Sequence, residues 1–444
     1  MVRDILFIFL THKYIFSNIL KCVDSFSTIM AKMNIYEKNK MLYDIPESLT
    51  LVKKRTQIVS TFDEETFDDV RGTETLRCTW GTGEYMVSSK SSYLVVTLSV
   101  KAVTVEGWTF GTGSVMSIFR DLIIRSKSGV ELCRMNDPKI WNKIKFYYDT
   151  HIDRKEQVQE LGGYVDASDI TTFVGQTYNT AEPTDFNKYK LAIPLDYLSP
   201  LFTSVDGSEY IPSQLCEGLT FEFYPATKET IFKTGMNPIT QFNIHDIKFR
   251  LDCVILNDRS LMELQNRCHK KGLEWVCHGV YKQDIKGIQE DVDVQNQINF
   301  SVSQALKADT VYQLSTRNDQ TGTDKCGFYN VSRDFQYRSG SDYFPMNRVK
   351  DAGVKHMETY IQAVYTHPLT HSSVADFISN NTIYSANLNL NDDLELSGII
   401  VNNSKTLEYL GVGKSGGSLS VDVTTLLQYV KVIKIVGDNI SVAT

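Results

Sequence analysis

Ile247-Lys-Phe-Arg-Leu-Asp-Cys-Val-Ile-Leu-Asn-Asp-Arg-Ser-Leu-Met-Glu-Leu264 changes its period halfway along. From Ile247 to Cys253 apolar and polar residues alternate, so Ile247, Phe249, Leu251 and Cys253 share one face of a strand and Lys248, Arg250 and Asp252 the other. Asn257-Asp-Arg-Ser260 then offers capping side chains. Leu261, Met262, Leu264 and Gln265 follow at helical spacing, and Gly272 supplies a stop. A strand with one apolar and one wet face belongs to an antiparallel sheet packed on a single side.

The same texture extends to both sides of this stretch. Leu219-Thr-Phe-Glu-Phe223 alternates, with Leu219, Phe221 and Phe223 on one face and Thr220 and Glu222 on the other. Tyr93–Lys101 is an apolar run. Phe119–Ile124, the turn residues Ser126-Lys-Ser-Gly129 and Val130–Cys133 read as a hairpin. Beyond the helix, residues 282–297 (KQDIKGIQEDVDVQNQ) are polar and acidic and read as a connector. Strand texture then resumes at Phe300 and Val302, Val311–Ser315, Phe335–Arg338, Ala386 to Leu390 and Leu427–Val436.

An alternating strand closes each half, Ile247–Cys253 in the first and Val430-Lys-Val-Ile-Lys-Ile435 about 180 residues later, a spacing that fits one eight-stranded jelly roll with decorated loops. The expected fold is all-β: two tandem eight-stranded antiparallel jelly-roll β-sandwiches with a short helix near the junction. The expected division is an N-terminal arm or leader over 1–60, a first roll over 61–256, helix and connector over 257–297 and a second roll over 298–444. The halves share no sequence identity, so a single large sandwich with insertions is the competing reading.

Composition narrows the function classes. Lys+Arg number 46 against 53 Asp+Glu, a net charge of −7, which argues against wrapping nucleic acid as the main task. With 42% hydrophobic and 22% charged residues the chain is an ordinary globular one. Its eight cysteines (Cys22, Cys78, Cys133, Cys216, Cys253, Cys268, Cys277, Cys326) have no repeated spacing and read as reduced thiols. Glycosylation sequons such as those at Asn330, Asn380, Asn402 and Asn439 are what chance supplies in a chain rich in Asn, Ser and Thr. The apolar run Ile5–Leu10 is shorter than a signal core, and no stretch approaches the roughly 20 apolar residues of a membrane helix. Residues 1–29 read as a leader, a loosely packed arm or sequence upstream of the start at Met30 or Met33.

No catalytic constellation emerges. Leu410-Gly-Val-Gly-Lys-Ser-Gly-Gly417 touches three motifs, yet Glu408 stands where a Walker loop needs its first glycine, and strand-like SLSVDV follows where a phosphate-binding helix would start. It reads as a hairpin loop between Leu407–Leu410 and Leu419–Val423. Cys268-His269 and Cys277-His278 contain zinc-ligand types at a spacing that closes a tetrahedron poorly. His367 and His371 are separated by Pro368, which interrupts a helix. The acidic run Asp63–Asp69 lacks the cleft geometry of a glycosidase pair, and the basic triplet Lys53-Lys54-Arg55 is suited to an acidic neighbour or weak phosphate contact. Trp80, Trp108, Trp141 and Trp275 sit beside apolar runs and read as core. No residue is therefore assigned a catalytic, cofactor-binding or metal-binding role.

Taken in order, these segments resemble the double jelly-roll major capsid proteins of DNA viruses, a group spanning large eukaryotic DNA viruses, virophages, polinton-like viruses and tailless phages. The likeness rests on the hairpin Phe119–Leu132, on Leu191-Ala-Ile-Pro-Leu-Asp-Tyr-Leu-Ser-Pro-Leu-Phe202 with Tyr210–Phe223, on Ile247–Leu264 above all, and on Phe335–Pro345 and Tyr429–Val436, together spanning about residues 70–444. The resemblance implies a non-enzymatic structural protein of the virion, assembled in host cytoplasm or nucleus. It implies homotrimers forming pseudo-hexameric capsomers that tile an icosahedral shell, minor capsid or penton proteins as partners, and neither cofactor, specific nucleic-acid recognition nor transmembrane segment. Two other readings stay open: a single jelly-roll capsid protein with a projecting domain, and a carbohydrate-binding or carbohydrate-hydrolysing β-sandwich.

Overall fold

The alternating stretch around Phe249 is the later part of an 18-residue strand, Ile239–Leu256, in a computed structural model. The structure describes residues 52–102, 108–162, 187–234, 239–289, 293–298, 306–317, 332–350, 357–366, 374–377, 381–389, 398–401, 406–413 and 420–443, apart from 64–65, 69–74, 111–113, 206, 376 and 438. Val52–Thr61, Thr66–Asp68, Met86–Ser88 and Tyr93–Ala102 all pair antiparallel with Ile239–Leu256, and Asn187–Pro194 and Tyr210–Ile211 complete a seven-stranded sheet. One extra residue lies between His245 and Lys248 opposite Thr97 and Val95, with Asp246 at φ 48°. The bulge resets the alternation. Phe242 and Ile244 before it, and Ile247, Phe249, Leu251 and Cys253 after it, all enter one core.

The facing sheet runs Leu76–Thr79, Thr220–Pro225, Phe119–Arg125, Glu131–Asn136. Leu219, Phe221 and Phe223 are buried as their alternation predicts, and Phe221 packs its ring 4.7 Å from Trp80 and 4.6 Å from Phe249. Glu222, on the other face, is nearly buried as well, held by Arg77 at 3.0 Å and Arg125 at 3.7 Å. The predicted hairpin is present, with Gly129 at φ 84° donating to Ser126 C=O at 2.8 Å.

The second half repeats the plan. Leu273–Gln289, Ser420–Val436, Leu306–Arg317, Tyr384–Asn387, Ile399–Val401 and Asn439–Ala443 form a six-stranded sheet, opposed by Val294–Ile298, Leu407–Gly413, Ser332–Ser339 and Asp342–Lys350. Phe335, Tyr337, Tyr384, Tyr409, Val423 and Leu427 fill its interior. Two pairs of sheets, each enclosing side chains of its own, replace the single large sandwich, and the architecture is a double jelly roll.

Three expectations need correction. The segment 282–297 is largely not a connector, because Leu273–Gln289 is an edge strand of the second half and Val294–Ile298 belongs to the facing sheet. Its outer face is wet, and a register shift between Ile285 and Ile288 breaks the period that would have revealed it. Part of the expected arm, Val52–Thr61, is likewise a strand. Finally, Leu407–Gly413 and Ser420–Val436 lie in different sheets and do not pair as the expected hairpin.

The junction helix is Asp258–Lys270. Asn257 Oδ1 accepts from Ser260 N–H at 2.9 Å, and Gly272, at φ 79°, donates to the carbonyls of Arg267 and Cys268. Leu261, Leu264 and Cys268 anchor it on the first core.

Candidate assembly surface

Among the described residues, those that the sequence flagged for chemistry have separate structural roles. Cys277 and His278 are neighbours on a strand, so they face opposite sides: Cys277 is buried in the first core, while His278 Nε2 lies 2.9 Å from Asp309. Cys268, on the junction helix, directs its thiol at the carbonyls of Ile435 and Gly437. No group of three or more metal-ligating side chains converges among the described residues. Lys53 bonds Asp258 at 2.7 Å and Arg55 bonds Asp252, so two members of the basic triplet are paired within the chain. Phe67 of the acidic run is buried on a strand that pairs with 243–245. Trp80, Trp141 and Trp275 are core residues. His367, His371, Cys22, Cys326, Asn330, Asn380, Asn402, Phe300, Val302, residues 1–51 and Lys414–Gly417 lie outside the described residues.

The two halves are joined by an apolar seam. Leu273, Trp275 and Cys277 from the second half's edge strand, with Ile433 and Ile435, share a core with Leu201 and Phe202 of the first half. Trp275 Nε1 donates to Leu201 C=O at 2.9 Å, and Val205 N–H to Val276 C=O at 3.0 Å. The helix Pro138–Tyr148 presents Ile140, Ile144 and Tyr148 to Tyr312, Leu314 and Leu426 of the second half. Sequence reading missed this helix. Its signal was Pro138 at the first turn and apolar residues at i, i+4 and i+8.

Charges inside the seam are partnered. Lys282 sits between Asp137 and Asp284. Burial alone would lower its pKa, but the two carboxylates outweigh burial and raise it above the usual lysine value. Lys431, 7% exposed, donates to Leu132 C=O at 2.7 Å. Removing either partner would leave an uncompensated polar group between the halves, so the seam resists sliding.

Outward, apolar side chains gather on one strand and helix of the second half. Phe335 pairs with Val349 but Tyr337 pairs with Phe344, so residues 345–348 arch out of the edge strand Asp342–Lys350. Buried Gln336 holds the arch by donating to the carbonyls of Pro345 at 3.0 Å and Met346 at 3.1 Å. At its crest Met346 is 87% exposed, and Tyr343 is exposed nearby on the same strand. The helix Met357–Thr366 buries Thr359 and Ala363 and leaves Ile361 and Tyr365, four residues apart, in solvent. Lys350 N–H donates to Glu358 at 2.6 Å and ties strand to helix. Exposed apolar groups gathered on a sheet edge and a neighbouring helix suit protein contact.

No protein-family model matches the sequence, and no curated protein matches it. Its similarities are structural. The chain is similar to the PBCV-1 virus capsid structure at 9% identity, with a TM-score of 0.59 over 90% of this chain and 99% of that one. It is similar to the Sputnik virophage structure at 11% identity, with a TM-score of 0.58 over 90% of each chain. It is similar to the mavirus major capsid protein at 8% identity, with a TM-score of 0.53 over 90% of this chain and 94% of that one. These likenesses place the chain in the double jelly-roll fold.

Proposed function

We propose that this chain is a structural protein of a virion, a major capsid protein whose copies associate in threes into pseudo-hexameric capsomers that tile an icosahedral shell. The observation that carries this reading is the pair of sandwiches fixed side by side by a buried seam. Three such chains around an axis present six lobes of similar build, which is how a trimer fills a six-fold lattice position. The end-to-end likeness to proteins whose names describe capsids supports it. The role is non-enzymatic, the partners are further copies of the chain together with minor capsid or penton proteins, and the site of action is the virion.

The arch at Met346 and the helix face of Ile361 and Tyr365 form part of the contact between copies. Sedimentation velocity tests this directly. The purified protein is expected to run with the mass of three chains. Met346→Glu, at a position too exposed to affect folding, is expected to shift it toward one chain with an unchanged circular dichroism spectrum. A wild-type monomer at every concentration would overturn the capsomer reading, whereas an unaltered trimer in the variant would overturn only the role of this face.

A further inference from the structure

A row of polar side chains runs across the larger sheet of the second sandwich. Register places Gln283 opposite Thr425, Thr425 opposite Gln313 and Gln313 opposite Tyr384, so four adjacent strands contribute one residue each to the same face. That face is the inner one, because Val311, Leu427 and Val423 on the same strands, in phase with the row, belong to the core. Ser315 lies two residues beyond Gln313, opposite Val423, and faces the same way.

Gln313 and Thr425 are each 1% exposed and Ser315 0%. Gln313 Oε1, Thr425 Oγ1 and Ser315 Oγ have no hydrogen-bond partner among the described residues. Three buried polar atoms without protein partners, adjacent in register, are not a tolerable arrangement in a dry core, since each forfeits its hydration on folding. Directly opposed side chains on a sheet stand about 5 Å apart, a separation that one water spans with two hydrogen bonds. The row also has a way in. Its outer member Gln283 is only half-buried, on the edge strand, where its amide donates to Gln297 C=O at 3.3 Å.

We infer that the second sandwich contains a built-in hydration site, in which ordered water bridges Thr425 Oγ1 to Gln313 Oε1 and continues to Ser315 Oγ. The ligand is water itself. The hydroxyls can donate or accept and the amide oxygen accepts, so a chain of water molecules satisfies all three groups without any charge.

Two measurements test this on the full chain. In a crystal structure or cryo-electron microscopy map of the purified protein that resolves ordered solvent, density for water is expected within hydrogen-bond distance of all three atoms. Rotated side chains that satisfy one another with no solvent between them would overturn the site. In thermal unfolding, Thr425→Val alone is expected to lower Tm by roughly 2–4 °C, because it strands water and Gln313 together. Gln313→Met, Ser315→Ala and Thr425→Val combined are expected to recover most of that loss, since nothing polar then remains to hydrate. Additive losses across the three substitutions would contradict a shared water, and the solvent map decides the matter even if a variant fails to fold.

Discussion

Gly279 shows how one residue sets the spacing of the second sheet. It lies opposite Tyr429, and a Cβ built on it would meet the tyrosine ring at 2.3 Å, so the ring occupies the space that any side chain would need. Gly279→Ala is expected to cost about 1–3 kcal/mol through overpacking, read as a fall in the urea midpoint, and Tyr429→Leu in the same chain should return part of it. The thiols make a second case at this scale. Burial pushes Cys78, Cys253 and Cys277 up to about 12, and the other described cysteines, Cys133, Cys216 and Cys268, are buried too. A folded-state value raised so far keeps the proton on sulfur throughout the neutral range, and the thiolate is the reactive form. At pH 8 a thiol-disulfide reagent such as DTNB is expected to label none of these six cysteines rapidly, each reacting only after unfolding. Rapid labelling of Cys277 in the native protein would show that the seam opens.

Among the elements, the strand Ile239–Leu256 carries the most consequence. The one-residue bulge at Asp246 keeps both ends of the strand in phase with the same core. Deleting Asp246 is expected to turn either Phe242 and Ile244 or Ile247, Phe249, Leu251 and Cys253 toward solvent, and soluble expression should be lost. A soluble variant with native thermal stability would mean that the bulge is dispensable. The same bulge explains what sequence could and could not reveal. Alternation from Ile247 to Cys253 was legible because it is uninterrupted, as were the Asn257 cap, the Gly272 stop and the hairpin turn at Gly129, all of which depend on neighbours in sequence. Pairing across distant strands was not legible. The strand Leu273–Gln289 was hidden by its own register shift and its wet outer face, and the helix Pro138–Tyr148 by its position within a succession of strands. The exposed apolar face around Met346 was least legible of all, since the exposure of Met346 depends on two hydrogen bonds from Gln336 across a strand pair.

At the scale of the molecule, the buried seam packs the two sandwiches against each other. Trp275, Ile433 and Ile435 belong by sequence to the second half and by packing to the first. Lys282 and Lys431 reach polar groups of the first half from strands of the second. A chain built in this way presents two lobes in a fixed relation, and three chains present six. Negative-stain electron microscopy of the purified protein tests that claim most directly. Particles with a six-lobed, near-hexagonal outline are expected, one lobe for each sandwich, whereas a uniform field of isolated two-lobed particles would contradict the trimeric capsomer.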